Sequence, residues 1–258
     1  MILAIDMGNT NTVLGGIDEE QTYFIERITT DRSKTDAEYA VSLKNILEMC
    51  RIDVSSIEGA ILSSVVPPLN ATILSAVEKV TGIRPLLVGS GMKTGLNIHM
   101  DNPKTVGSDQ IVDAVAASYE HPLPLIVIDM GTATTLCVVD AHNTYIGGVI
   151  LPGLKVSLDS LSSKAAQLPY ISLEVPDRVI GKNTIDCMRA GIIYGNADMI
   201  DGIIDRMEAE LGQPATVIAT GGLARFITPL CRHKIICDDA LLLKGLLILY
   251  RKNAPSRN

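Results

Sequence analysis

Two stretches of this chain repeat one another: "LAIDMGNTNTVLG" at the start and "LIVIDMGTATTLCVV" in the middle. Each reads as an apolar strand, an Asp-Met-Gly corner, a few small polar residues and a second apolar strand, which is the pattern of a β-hairpin. Superposing Asp6 on Asp129 aligns Gly8 with Gly131 and Thr12 with Thr135, a constant offset of 123 residues. One such hairpin is an ordinary turn, because Asp, Gly, Asn and Thr are favoured there. A matching second copy is the mark of an internal duplication. The pattern predicts two α/β halves, residues 1–119 and 120–258, each opening on its own hairpin.

Periodicity fills in the rest. Thr35–Cys50 carries apolar residues at helical spacing, Gly59–Val66 is a buried strand ended by Pro67 and Pro68, and Ala71–Val80 is a helix. Ser108–Ser118 reads as a helix opened by a Ser/Asp cap. Leu125–Asp129 begins the second cycle. Thr184 is the expected cap of a long helix to Leu211, with Ile185, Met188, Ile192, Met199, Ile203 and Met207 on one face. Gly191 and Gly195 in that helix suit close approach of another helix, within the chain or from a second subunit. Val217–Ala219 is a strand, Gly221-Gly222 a turn and Leu241–Tyr250 a terminal helix.

The hairpin has a use beyond turning the chain. Backbone N–H groups following its glycine converge on one point and can hold phosphate oxygens. Asn9, Thr10, Asn11 and Thr12 add side-chain donors without bulk, and Asp6 and Asp129 can hold a hydrated cation such as Mg²⁺. Two hairpins together suit the phosphates of a nucleotide.

Composition narrows the partners. A net charge of -7, with no Trp and only two Phe, disfavours nucleic acid both electrostatically and by stacking. The longest apolar stretches are too short or interrupted for a membrane span, and the N-terminus lacks a secretory leader's pattern. Five scattered cysteines without a CxxC suit reduced thiols and a cytoplasmic protein. Cys231, His233 and Cys237 lack a fourth metal ligand at usual spacing.

The paired hairpins and the late Gly-Gly turn resemble the fold shared by acetate kinase, sugar kinases, heat-shock chaperones and actin. That resemblance implies two duplicated ribonuclease H-like (actin-like ATPase) domains with a nucleotide cleft between them. "DMGNTNTVLGG", "NPKTVGSDQIVDAVAA", "IDMGTATTL", "GGVILPGL", "GKNT" and "TGGLA" occur in the order found in type III pantothenate kinases, from about residue 1 to residue 250. The resemblance implies ATP-dependent phosphorylation of pantothenate to 4'-phosphopantothenate, the first step of coenzyme A biosynthesis. It places the ATP phosphates on Asp6, Met7, Gly8, Asn9, Thr10, Asn11, Thr12 and Val13, with Thr132 assisting and Gly221 and Gly222 near the adenosine. Asp129 becomes the site of a monovalent cation, K⁺ or NH₄⁺, and Mg²⁺ accompanies ATP. Pantothenate falls to Met100 and to Gly107, Ser108, Asp109 and Gln110, with Asp109 as general base. Thr184 reaches pantothenate from a neighbouring subunit, which implies a homodimer with the acceptor site near its interface.

Four positions depart from the family pattern. Ser108-Asp109-Gln110 stands where the family usually has Ala-Asp-Arg, Met100 where a tyrosine is common, and Asp113 where asparagine is frequent. Glutamine cannot make arginine's paired, charged bonds to a carboxylate, so the grip on pantothenate should weaken unless Lys93, Lys104 or Lys182 restores the charge. Asp113, one turn after Asp109, is expected to raise the pKa of Asp109 by like charge. Two alternatives remain beside the kinase reading: the same chemistry on another small hydroxyl acceptor, and a non-catalytic nucleotide-binding accessory protein.

Overall fold

The computed structural model describes residues 1–254. Within it the chain forms two compact units, one of Met1–Gly95, Asn102–Ala116 and the segment from Ala240, the other of Leu96–Asp101 and Ala117–Asp239.

In the first unit β1 (Ile2–Met7), β2 (Asn11–Ile17) and β3 (Thr22–Thr29) form an antiparallel meander. Strand β4 (Gly59–Ser64) then lies parallel to β1 and β5 (Leu86–Leu87) parallel to β4, giving the order β3-β2-β1-β4-β5. Alternation decides what covers the sheet. Leu3, Ile5 and Met7 pack with Tyr39, Leu43 and Leu47 of α1 (Asp36–Met49) and with Ile73, Ala76 and Val77 of α2 (Asn70–Thr81). The expected first residue of α1, Thr35, is its cap: Thr35 and Glu38 close a reciprocal capping box.

Ile2 and Ala4 are as fully buried as Leu3 and Ile5, so the sheet needs cover on both faces. The terminal helix α7 (Leu241–Asn253) belongs to this unit, with Leu243 against Gly15 of β2 and Tyr250 against Gly59 of β4. A division at residue 119/120 puts that helix in the second half, whereas by its contacts it groups with the first unit. An apolar helix goes to whichever sheet face lacks cover, and chain order carries no record of that choice.

The second unit repeats the first. Strands β7 (Leu125–Met130), β8 (Ala133–Val139), β9 (Thr144–Pro152), β10 (Thr216–Thr220) and β11 (Ile235–Cys237) pair with the same directions and neighbours as β1 to β5. One short strand, β6 (Asn97–Ile98), adds to β9 at the edge, so the order is β11-β10-β7-β8-β9-β6. Even the irregularity recurs: the ladder shifts at Gly16/Ile17 in one copy and at Val138/Val139 in the other. Helix α3 (Ser108–Glu120) starts in the first unit and enters the second after Ala116. The second core gathers β7 and β8 under α4 (Leu154–Lys164), α5 (Thr184–Leu211) and α6 (Ala224–Ile227).

Two sequence expectations change here. Asn183, not Thr184, caps α5: its side chain accepts the N–H of Asp186, and Thr184 is the first helical residue. The buried face of α5 is Ile193, Ala197, Ile200 and Ile204 together with Met188 and Ile192, whereas Ile185 is exposed. Gly191 and Gly195 are exposed and face open space, so internal packing does not explain them. The five cysteines are all free, and no described helix is long and apolar enough to cross a membrane.

Candidate active site

The first hairpin turns through four residues, Gly8–Asn11, between the register partners Met7 and Thr12. Gly8 donates its N–H to the Asn11 carbonyl at 3.0 Å, and the Thr10 carbonyl accepts from Thr30 at 2.9 Å. These two bonds fix the backbone and leave Asn9, Thr10 and Asn11 exposed. Thr12 is fully buried instead, its hydroxyl 2.8 Å from that of Thr30. Its hydroxyl supports the turn from beneath. Arg32, which sequence reasoning missed, donates to the Asn9 side chain at 3.2 Å and brings a positive charge to the turn.

Beside the hairpin, β4 runs parallel to β1 with Ser63 opposite Asp6. Ser63 is fully buried, and its hydroxyl lies 3.0 Å from that of Ser108, the first residue of α3. The Ser108 hydroxyl donates to the Ser64 carbonyl at 3.2 Å. With its one proton used there, Ser108 accepts from Ser63. The start of α3 is thereby pinned to the end of β4, next to β1, which carries Asp6. This brings the first hairpin and the stretch Gly107–Gln110 to one end of one sheet. The hydroxyl of Ser108 is committed to protein.

Asp109 follows, half-buried, with Oδ1 accepting the N–H of Gln110 at 2.8 Å. Burial raises its pKa above the usual carboxylate range, opposed by the backbone N–H groups of Gln110 and of Asp109 itself. Desolvation, rather than the like charge of Asp113, is the leading cause. Gly107 leaves the room this arrangement needs, since a side chain there would collide with the Asp109 carboxylate. A half-buried carboxylate with a raised pKa has the properties of a general base.

In the second unit the turn between the register partners Met130 and Thr134 has three residues, one fewer than in the first. Thr134, not Thr135, is therefore the structural counterpart of Thr12, and the constant offset of 123 residues ends at the turn. Asp129 is half-buried at the end of β7, opposite Thr220 of β10. Gly221 turns away with φ of +94°, and a Cβ there would lie 2.7 Å from Asp129 Oδ1 and from the Met130 backbone. The glycine is what allows the turn to pack directly on the carboxylate. Thr132 is exposed, and its carbonyl accepts the N–H of Gly153 at 3.2 Å, tying the start of α4 to this turn. Met100 comes soon after β6, held through His99, which donates to the Tyr145 carbonyl at 2.9 Å. Thr184 is exposed in the first turn of α5.

The described residues contain no group of three or more His, Cys, Asp or Glu placed to hold a metal ion. Mg²⁺ needs no such group, since it keeps its waters and takes one or two carboxylates together with nucleotide phosphates.

The sequence profile of type III pantothenate kinases matches residues 2–206. The type III pantothenate kinase of Geobacillus sp. (strain WCH70) is 46% identical over 257 residues, covering 100% of both chains. That of Bacillus cytotoxicus is 46% identical over 254 residues, covering 98% of this chain and 97% of its own. The chain belongs to the type III pantothenate kinase family. At the level of fold it is similar to component A of the (R)-2-hydroxyglutaryl-CoA dehydratase of Acidaminococcus fermentans, with a TM-score of 0.54 and 16% identity over 96% of each chain. A ROK family glucokinase from Streptomyces griseus gives a TM-score of 0.51 at 12% identity, covering 96% and 97% of the two chains. These likenesses place the family member in the sugar kinase and actin-like ATPase fold, with its duplicated ribonuclease H-like domains.

Proposed function

We propose that this chain transfers the γ-phosphoryl group of ATP to pantothenate, forming 4'-phosphopantothenate in the first step of coenzyme A biosynthesis. Family membership supports the reaction. The observation that carries the mechanism is the Ser63–Ser108 hydroxyl pair, which docks the start of the helix bearing Asp109 on the strand beside Asp6. Asp109 is the general base: its carboxylate takes the proton of the acceptor hydroxyl as the phosphoryl group arrives. The turn from Asp6 to Val13 holds ATP phosphates through backbone N–H groups and the exposed side chains of Asn9, Thr10 and Asn11, and Thr132 adds a contact from the second hairpin. Arg32 supplies positive charge at the first turn. Gly221 and Gly222 border the adenosine.

Asp6 would hold the Mg²⁺ that accompanies ATP, which would supply charge neutralisation at the phosphates. Asp129, packed under the Gly221 turn, holds a monovalent cation, K⁺ or NH₄⁺. Pantothenate is taken by Met100, Gly107, the backbone of Ser108, Asp109 and Gln110. The working molecule is a homodimer in the cytoplasm, with Thr184 completing the partner's acceptor site. The exposed Ile185, Gly191 and Gly195 on α5 support a surface that a second copy covers.

The test is phosphopantothenate formation by purified protein with Mg²⁺ and ATP, in K⁺ and then in Na⁺. Pantothenate-dependent product that falls when Na⁺ replaces K⁺ is expected, with a high KM for pantothenate because Gln110 and Met100 replace better ligands. ATP binding without phosphopantothenate would overturn the acceptor assignment and favour another hydroxyl substrate, the reading that Gln110 and Met100 also allow.

A further inference from the structure

The C-terminal end of α7 grips a loop about 160 residues earlier in the chain. Asn253 holds Lys93 from both sides: its Oδ1 accepts the Lys93 N–H at 2.8 Å, and its Nδ2 donates to the Lys93 carbonyl at 3.0 Å. The same amide donates to the Leu249 carbonyl at 2.8 Å, which fixes its orientation on the helix. Lys252 donates from Nζ to the Thr94 carbonyl at 3.1 Å. Gly95 completes the arrangement with φ of +84°, and a side chain there would collide with the Lys252 ammonium. Three consecutive residues are thus held in one backbone path.

That path leads to the acceptor segment. Gly95 is the last residue of the first unit before the chain enters β6, and Met100 comes five residues later. The base of the grip is firm: α7 is seated on the first sheet through Leu243 and Tyr250.

We infer that Asn253 and Lys252 are positioning residues for the acceptor segment, fixing the backbone that leads to Met100 without touching substrate. This rests on the proposal that Met100 borders pantothenate. Losing the grip loosens Lys93–Gly95 and makes pantothenate reorder the segment on binding, an entropic cost that falls on one substrate only. The ATP residues lie on other strands and should not respond.

The test compares the parent with Asn253→Ala and with Asn253→Ala/Lys252→Met, which keeps the lysine's apolar stem. Amide exchange over residues 93–101 should quicken in both variants. The KM for pantothenate should rise about 3- to 10-fold, the equivalent of losing one or two ordinary hydrogen bonds. The KM for ATP should stay within about twofold and the melting temperature within about 2 °C of the parent. Unchanged exchange over residues 93–101 would overturn the grip itself. Faster exchange with both KM values rising together, or neither, would overturn its role in positioning the acceptor. A parent that makes no phosphopantothenate would refute the assigned reaction and with it the acceptor role, while exchange would still decide whether the grip exists.

Discussion

The two units repeat one strand arrangement but use the end of the sheet differently. After β1 the turn has four residues and exposes three polar side chains, while after β7 it has three and exposes one, Thr132. The buried threonine beneath each turn differs as well. Thr12 shares a hydrogen bond with Thr30, whereas the hydroxyl of Thr134 is buried without a hydrogen-bond partner among the described residues, and its neighbouring strand ends in Pro152. At the end of the parallel strand beside each aspartate, Ser63 and Ser64 dock a helix in the first unit, and Gly221 packs on Asp129 in the second. Duplication supplied one scaffold twice. Small local changes then leave one copy with a docked helix bearing a half-buried carboxylate and the other with a compact turn over a carboxylate.

The largest expected effect tests what the first unit alone possesses. Asp109→Asn should lower kcat by about 10²- to 10⁴-fold, the usual worth of general acid–base catalysis. Stability should not fall with it. Burial raises the folded pKa of Asp109, so the ionised side chain costs stability at every pH above its unfolded value. Asparagine removes that cost, and the variant should melt at or above the parent's temperature at pH 7. For the same reason kcat in the parent should fall as pH drops through a value above the ordinary carboxylate range. Parental kcat in the variant would reduce Asp109 to a helix-end residue.

The next effect belongs to the second unit. Gly221→Ala combines a disfavoured positive φ with a clash at 2.7 Å against Asp129 and Met130. It should cost about 2–4 kcal/mol of stability and weaken ATP binding. Gly8→Ala meets only the Asn11 carbonyl, at 3.0 Å, and should cost less. Equal losses in thermal unfolding would mean that the two turns are alike after all.

A paired measurement then sharpens the contrast between the buried threonines. Thr12→Val leaves the Thr30 hydroxyl without its partner and should cost about 1–2 kcal/mol. Thr134→Val removes a buried hydroxyl that has no hydrogen bond to lose, and should be neutral or stabilising. Chemical denaturation of both variants decides it; a similar loss at Thr134 would break the comparison. The smallest effect is expected at Arg32, where Arg32→Ala should raise the KM for ATP about 2- to 5-fold, since the residue is exposed and screened.

Much of this arrangement is legible in the sequence. The hairpins, the helix carrying Asp109 and the Gly221 turn each follow from local pattern, because turn chemistry and apolar periodicity are short-range properties. The third strands, Thr22–Thr29 and Thr144–Pro152, are not. Thr22–Thr29 is a largely exposed edge strand, and exposed strands lack a clear apolar alternation. Arg32 and Ser63 escape sequence reasoning for another reason. Nothing in their neighbours distinguishes an arginine in a loop or a serine at a strand end until pairing sets Ser63 opposite Asp6 and folding brings Arg32 to Asn9.

Local sequence is enough to make this a duplicated α/β chain whose two Asp-Gly corners suit phosphates, because a corner's conformation depends on the residues that make it. The remainder comes from tertiary contacts. They seat the terminal helix on the first sheet, commit Ser108 to Ser63 rather than to a ligand, and raise the pKa of Asp109 by burial. Each of these depends on what packs against a residue, and contacts made across 45 or 160 positions are set by the fold as a whole.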